Sequence, residues 1–341
     1  MPSPRLKLPV IQNWNCHNCG GCCKQHEIEI TVEEKERIEK QRWDLDESIP
    51  AGKPVIEKLG LSPTSKRYRL AHQADGSCVF LNEQGLCRIH AKFGEPAKPL
   101  ACQVYPYAFH PAGNDVAVSL RFSCPSVVSN LGERVDQQEP AIRKIVDQVR
   151  PKRRKTPPAP ELNSREAVSW PDTLKVVSKL NQFFQSKETP FQICLLRAIG
   201  FVELIESSRF ETIRGERLEE FLELIFQAIL QEYPADLKLE PVVPSRLGGI
   251  QFRLLVAQYA RKDTYAESSR GLGRRIALLQ SALKFTLGTG RIPSLQERFS
   301  PVPFALVEQP FGGLPSESEK LFLRYYRVKI EGLHFLGAAY Y

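Results

Sequence analysis

The hydrophobic pattern changes character along the chain. Its first third is short-period and punctuated. Glu27, Ile28, Glu29 and Ile30 alternate polar and apolar, as a strand does. Thr31, followed three residues later by Glu34, has the form of a capping box and predicts a helix over 32–43. Residues 44–77, interrupted by Pro50, Pro54 and Pro63, predict irregular chain. Residues 78–81 and 86–89 flank Asn82-Glu-Gln-Gly85 as the arms of a hairpin, and 116–122 alternates as a further strand. From about residue 170 the period becomes helical. Pro171 at a helix start is followed by Leu174, Val177, Leu180 and Phe184 on one face. Similar stripes run through 191–206, 218–233, 248–260, 274–287 and 316–326, and their apolar residues read as core.

A basic stretch separates these two textures. Arg143, Lys144, Arg150, Lys152, Arg153, Arg154 and Lys155 stand against one acid, Asp147, and the chain continues Thr-Pro-Pro-Ala-Pro. This composition predicts a solvated, stiff linker. It also carries much of the net charge of +8, since residues 1–124 hold 16 Lys/Arg against 14 Asp/Glu. A basic run can grip nucleic acid, but no aromatic residue is interleaved here to stack on bases, so a tether is the preferred reading. The expected fold is α+β. An irregular cysteine-rich domain covers 1–142, the basic Pro-rich linker 143–160, and a mainly α-helical domain 161–341.

The compartment follows from the N-terminus and from hydropathy. Pro2, Pro4, Pro9, Arg5 and Lys7 break any apolar signal core at the start of the chain. The most apolar stretch, 191–205, is interrupted by Gln192, Arg197 and Glu203, short of the ~18 apolar residues of a membrane span. The expectation is a cytoplasmic protein that does not enter a membrane, in surroundings that keep thiols reduced.

That expectation matters because eight of the nine cysteines lie in the first 124 residues. Cys16, Cys19, Cys22 and Cys23 are crowded together, and Cys78, Cys87, Cys102 and Cys124 follow. A chain of 341 residues buries a full core without disulfide staples, so this density points to metal ligation. Cys-x2-Cys spacing lets a tight turn bring two sulfurs to one ion, and Gly20-Gly21 gives the backbone room to curl. Four thiolates suit a tetrahedral zinc. Cys16-x2-Cys19-x2-Cys22 with a remote Cys124-Pro125 is also a pattern of iron–sulfur ligation, 4Fe–4S before other types. Neighbouring side chains usually diverge, so one of Cys22 and Cys23 is expected to face a second site or to be an inert thiol. Eight thiols fit two four-ligand sites, or one cluster with spare cysteines. His17 and His26 flank the cluster, and a hydrogen-bonded surface role is preferred for both over ligation. Cys194, within Ile-Cys-Leu-Leu, reads as core packing.

Several of these residues also carry a resemblance. Cys19-Gly-Gly-Cys22-Cys23, followed by Ile28-x-Ile-Thr-x-x-Glu34, resembles the YkgJ-type cysteine-cluster family of zinc- or iron-chelating domains. Cys78-Val-Phe-Leu, Gly85-Leu-Cys87-Arg-Ile89, Pro99-x-x-Cys102-x-x-Tyr105-Pro106 and Ser123-Cys124-Pro125 are similar to its flagellin lysine N-methylase branch. The likeness covers about residues 14–130, and Lys98 stands where the family often has arginine. It implies a bound iron–sulfur cluster and, in that branch, methyl transfer from S-adenosylmethionine to a lysine of a protein substrate. The residues alone give that activity no second support, because no Gly-x-Gly-x-x-Gly follows a strand to open a helix. Three readings stay open: an iron–sulfur methyltransferase, a non-catalytic zinc or iron chelator, and a scaffold in which metal folds the N-terminal part.

Overall fold

The computed structural model describes residues 3–46, 49, 52–60, 66–150, 157–163, 166–209, 212–240, 245–260, 272–292, 300–309 and 313–341. The chain is divided between two compact units, each assembled from separate stretches. One comprises Met1–Cys19, Ile89–Lys238 and Pro315–Tyr341; the other comprises Gly20–Arg88 and Leu239–Leu314. Helices and short antiparallel sheets occur in both, so the α+β expectation holds.

The first unit is organised on a three-stranded sheet. Tyr107–Ala112 pairs antiparallel with Asp115–Leu120, and Leu6–Lys7 adds a short parallel edge to the latter. Side chains alternate across a strand, so Tyr107 and Phe109 share a face with Val116, Val118 and Leu120. That face belongs to a cluster with Val127, Val135, Ile142, Val146 and Val328, all of them buried. Burying aromatic and β-branched side chains of this size stabilises by roughly 1.5–3 kcal/mol each. Ile142, Val146 and Val149 recur at helical spacing on Glu139–Val149. This helix occupies the start of the span expected to be a linker. Its apolar face is core, and Arg143 donates to the Pro4 carbonyl and to Glu139. Residues 151–156, with the rest of the basic run, lie outside the described residues.

Four helices of this unit match the stripes read from sequence: Trp170–Gln182, Phe191–Ser207, Glu216–Glu232 and Ser316–Glu331. The first is capped by Ser169, which accepts from the Asp172 amide, and carries Pro171 where its missing N–H costs nothing. Aromatic pairs join the helices: Phe183 with Phe226 at 4.5 Å, Phe184 with Tyr326 at 5.1 Å and Phe191 with Phe322 at 5.1 Å. Phe122, just past the sheet, meets Tyr325 edge-on at 4.9 Å. Cys194 is fully buried on Phe191–Ser207, its Sγ 3.6 Å from the Thr189 carbonyl, as expected of a packing residue.

In the second unit a small antiparallel sheet orders its strands Glu29–Ile30, Arg67–Leu70, Ile56–Leu59. The last two lie in the stretch expected to be irregular. Their charges are satisfied between strands: Arg69 pairs with Glu57 at 2.6 Å and Glu27 at 3.1 Å, and Arg67 with Glu29 at 2.6 Å. The helix Val32–Lys40 opens with the complete capping box, Thr31 and Glu34 each accepting from the other's backbone. It stops three residues earlier than the pattern suggested, and Trp43 turns inward to meet Phe80 edge-on at 5.0 Å. Helices Arg246–Ala260 and Leu272–Leu287 also belong to this unit, with Phe285, Ile292 and Phe304 forming a local core. Among the described residues no helix is long and apolar enough to cross a membrane.

Candidate metal centre

The structure places the eight candidate cysteines four to a unit. Cys22, Cys23, Cys78 and Cys87 belong to the second. Gly20 starts the short helix Gly21–Gln25 from a left-handed conformation with φ of 66°, which a side chain would strain. This turn presents Cys22 and Cys23 together. The two sulfurs are 4.0 Å apart, contrary to the expected divergence. Successive helical residues are separated by roughly 100°, not the 180° of a strand, so suitable rotamers let adjacent sulfurs meet. Two thiolates on one tetrahedral ion at Zn–S distances near 2.3 Å would be about 3.8 Å apart. The observed pair is close to that edge.

Cys78 is drawn to this pair by its backbone, the Cys78 amide donating to the Cys23 carbonyl at 2.8 Å. Its thiol is buried and pushed up to about 12, mainly by burial and secondarily by the neighbouring Cys87 and Cys22 sulfurs. A thiol in this setting keeps its proton until a cation arrives, and a metal-bound thiol is deprotonated outright. Cys87 lies opposite Leu81 in an isolated bridge. The expected hairpin is thus reduced to one rung and a turn, because side chains take the ladder's carbonyls. Gln73 Nε2 donates to Cys78 O at 3.0 Å and Leu81 O at 2.9 Å. Arg88 Nη1 donates to Val79 O and Leu81 O. Gln73→Ala should remove two hydrogen bonds from this loop, at about 0.5–1.5 kcal/mol each. A lower melting temperature and faster loss of metal to a chelator would show it, whereas an unchanged off-rate would mean that Gln73 does not hold this loop.

Cys16, Cys19, Cys102 and Cys124 belong to the first unit. The stretch before Cys16 is fastened to the loop after Cys124. Trp14 N and Asn15 N donate to Glu133 O and Leu131 O, and Gln12 Nε2 donates to Val127 O. His17 Nδ1 is 2.8 Å from Asn15 O and 3.1 Å from Ser126 Oγ, so it serves as a strut between the Cys16 and Cys124 segments. Cys102 sits on Leu100–Val104, and Cys124 precedes the short helix Pro125–Val128. Tyr105 Oη lies 3.2 Å from Ser123 Oγ, tying those two segments. In the second unit His26 belongs to the Cys22 turn, its amide donating to the Cys22 carbonyl. Burial lowers the basicity of His72, which also bonds to the His26 backbone.

All nine cysteines are present as thiols. Among the described residues no three His, Cys, Asp or Glu side chains are already drawn into a metal-gripping group. The donor set nonetheless fits a thiophilic metal in its chemistry: soft sulfur ligands, a buried thiol and glycine-shaped turns. Sequence reasoning identified the cysteines but missed their supports, Gln73, Arg88, Tyr105, Ser123 and Ser126. The Arg88, Tyr105 and Ser123 positions were visible only as family motif letters.

Comparison with known proteins shows what the cysteine-bearing stretch is similar to. Residues 15–125 match the model of the CxxCxxCC family, described as "Putative zinc- or iron-chelating domain". The cysteine-bearing stretch is therefore similar to a zinc- or iron-chelating domain, which supports metal binding. The lysine-N-methylase of Salmonella typhimurium (strain LT2) is 33% identical over 73 residues, 21% of this chain and 18% of that protein, and that of Salmonella choleraesuis matches equally. The flagellar biosynthetic protein FliU of Salmonella muenchen is 38% identical over 56 residues, 16% of this chain and 33% of its own. The chain thus matches about a fifth to a third of the length of these relatives. No solved structure gives a significant match.

Proposed function

We propose that the cysteines of residues 15–125 hold an iron–sulfur centre, and that the chain is a protein-lysine N-methyltransferase supplied by S-adenosylmethionine. The observation that carries the metal part is the 4.0 Å approach of the Cys22 and Cys23 sulfurs on one turn, with the Cys78 amide bonded to the Cys23 carbonyl and Cys87 near enough to perturb the Cys78 thiol. Cys22, Cys23, Cys78 and Cys87 would hold the group in one unit. Cys16, Cys19, Cys102 and Cys124 would be the second set; the Tyr105–Ser123 and His17–Ser126 contacts tie their segments together. A bound centre of this kind supplies electron transfer, and its potential is set by thiolate charge and hydrogen bonding. The methyltransferase part rests on the likeness to the Salmonella lysine-N-methylases. Chemically it requires a neutral lysine amine in line with the sulfonium methyl, with the thioether leaving as the new C–N bond forms.

A specific observation supports zinc as the second reading. The 4.0 Å separation of the Cys22 and Cys23 sulfurs suits two ligands of one tetrahedral ion. The experiment for the activity is incubation of metal-loaded protein with isotope-labelled S-adenosylmethionine and a flagellar protein substrate. Transfer of label to lysine, seen by peptide mass spectrometry and lost in Cys22→Ser, is the expected result. Loaded protein that neither binds the cofactor nor labels any lysine would leave a non-catalytic chelator.

A further inference from the structure

A second group of polar side chains lies on the sheet of the first unit and uses no cysteine. Tyr107–Ala112 and Asp115–Leu120 place Ala108 opposite Ser119 and His110 opposite Ala117. His110 and Ser119 are therefore diagonal neighbours on one face, the reverse of the face that bears Phe109 and Val118. Both are sealed from solvent, at 3% and 0% exposure. Ala108 and Ala117 stand opposite Ser119 and His110, and Ala112 and Asp115, whose carboxylate pairs with Arg5, continue that face to the end of the hairpin. The end of the helix Ser316–Glu331 closes over it. Gly332 comes so near that a Cβ there would lie 2.5 Å from the Ser119 Cβ. Lys329, on the last turn, is 4% exposed, and the His334 ring meets the His110 ring edge-on at 5.3 Å.

The imidazole and hydroxyl groups lack hydrogen-bond partners among the described residues. Both ring nitrogens of His110, the Ser119 hydroxyl and His334 Nδ1 are buried without a hydrogen bond among the described residues. The Gly337 backbone is near the His110 ring but does not satisfy it. No carboxylate of the described residues pairs with Lys329. A buried ammonium without a counter-charge is strongly disfavoured. The negative end of the helix does not supply one. It amounts to about half an elementary charge, and the Lys329 side chain runs the other way, its Nζ 5.8 Å from the ring centre of Tyr325 one turn back. The remaining nearby charge, on exposed Arg121, is positive too. Burial first, then Arg121, lowers Lys329 to about 8. Burial and the surrounding cations hold His110 and His334 near 4.

We propose that His110, Ser119, Lys329 and His334 form a binding site for a small oxyanion. The anion supplies what this group lacks: one negative charge against Lys329 and oxygen acceptors for the Ser119 hydroxyl and one N–H of each imidazole. Phosphate, sulfate and a carboxylate all offer that chemistry.

The test is calorimetric titration of the full-length, metal-loaded protein with inorganic phosphate, sulfate and acetate in turn, with thermal melting alongside. Wild type should bind at least one of them saturably at pH 7 and melt higher with it. Affinity should fall at least tenfold in Lys329→Met and in Ser119→Ala, and should weaken above about pH 8 as Lys329 loses its proton. Preference for phosphate or sulfate identifies a tetrahedral ligand; preference for acetate identifies a carboxylate. Lys329→Gln serves if the methionine variant does not fold. The site is overturned if wild type binds none of the three. Equal binding in wild type and the Lys329 variants overturns it as well, as does a Lys329→Met protein that melts higher than wild type at every anion concentration.

Discussion

Cys78→Ser is expected to strip metal from the protein, leaving well under a tenth of the wild-type content after anaerobic purification. The residue is buried, its amide fixes the Cys22–Cys23 turn, and its thiol has no solvent to ionise into without a metal. Metal binding to such a site is also folding energy, on the order of 10–16 kcal/mol for structural zinc in small domains. Removing one of four ligands should therefore lower soluble yield as well as metal content. Cys22→Ser should act alike. Cys194→Ser, on a thiol raised to about 11 by burial in the helical core, should change neither. Each ligating thiol releases its proton to solvent as the metal binds, so loading should weaken as pH falls. Elemental analysis of the three variants beside wild type checks this. Normal metal in Cys78→Ser would remove that residue from the ligand set.

Gly332→Ala should be a strongly damaging single-methyl change in the first unit. Its Cβ would meet the Ser119 Cβ at 2.5 Å, the Ser119 Cα at 2.8 Å and the Val328 carbonyl at 2.8 Å. Two of those atoms are backbone and one belongs to a central strand, so no flexible side chain can yield. Overpacking of this kind costs about 1–3 kcal/mol, and the shift of Ser119 should also loosen the C-terminal helix. Gly249→Ala is the contrasting case. It lies in the helix Arg246–Ala260 with nothing within 4 Å of the added atom. Replacing a helical glycine there should stabilise by roughly 0.5–1 kcal/mol. Chemical denaturation of both variants measures the contrast, and similar midpoints would show that Gly332 does not pack as described.

Helices were legible because their signals are local. Pro171 and the Leu174–Val177–Leu180 stripe announce Trp170–Gln182, and Thr31 with Glu34 announces the start of Val32–Lys40. The strand Tyr107–Ala112 was not legible. Both of its faces are buried, which removes the alternation, and Pro111 and His110 interrupt its apolar run. Ile56–Leu59 and Arg67–Leu70 were hidden for the opposite reason. Arg67 and Arg69 pair with acids distant in sequence, which no local window contains. The site divides in the same way. Thiol chemistry could be read from composition and spacing. The meeting of Cys23 with Cys78, and of His17 with Ser126, depends on contacts between distant stretches. The closeness of the Cys22 and Cys23 sulfurs depends on a turn begun by Gly20 in a left-handed conformation, which spacing alone does not specify.

Iron, zinc and acid-labile sulfide, quantified on anaerobically purified protein together with its visible spectrum, test the central claim most directly. The account predicts brown protein with about four iron and four sulfide per cluster and a broad thiolate-to-iron absorption band. Colourless protein carrying one or two zinc ions and no sulfide would contradict the iron–sulfur assignment. It would leave Cys22 and Cys23 as two ligands of a tetrahedral zinc site.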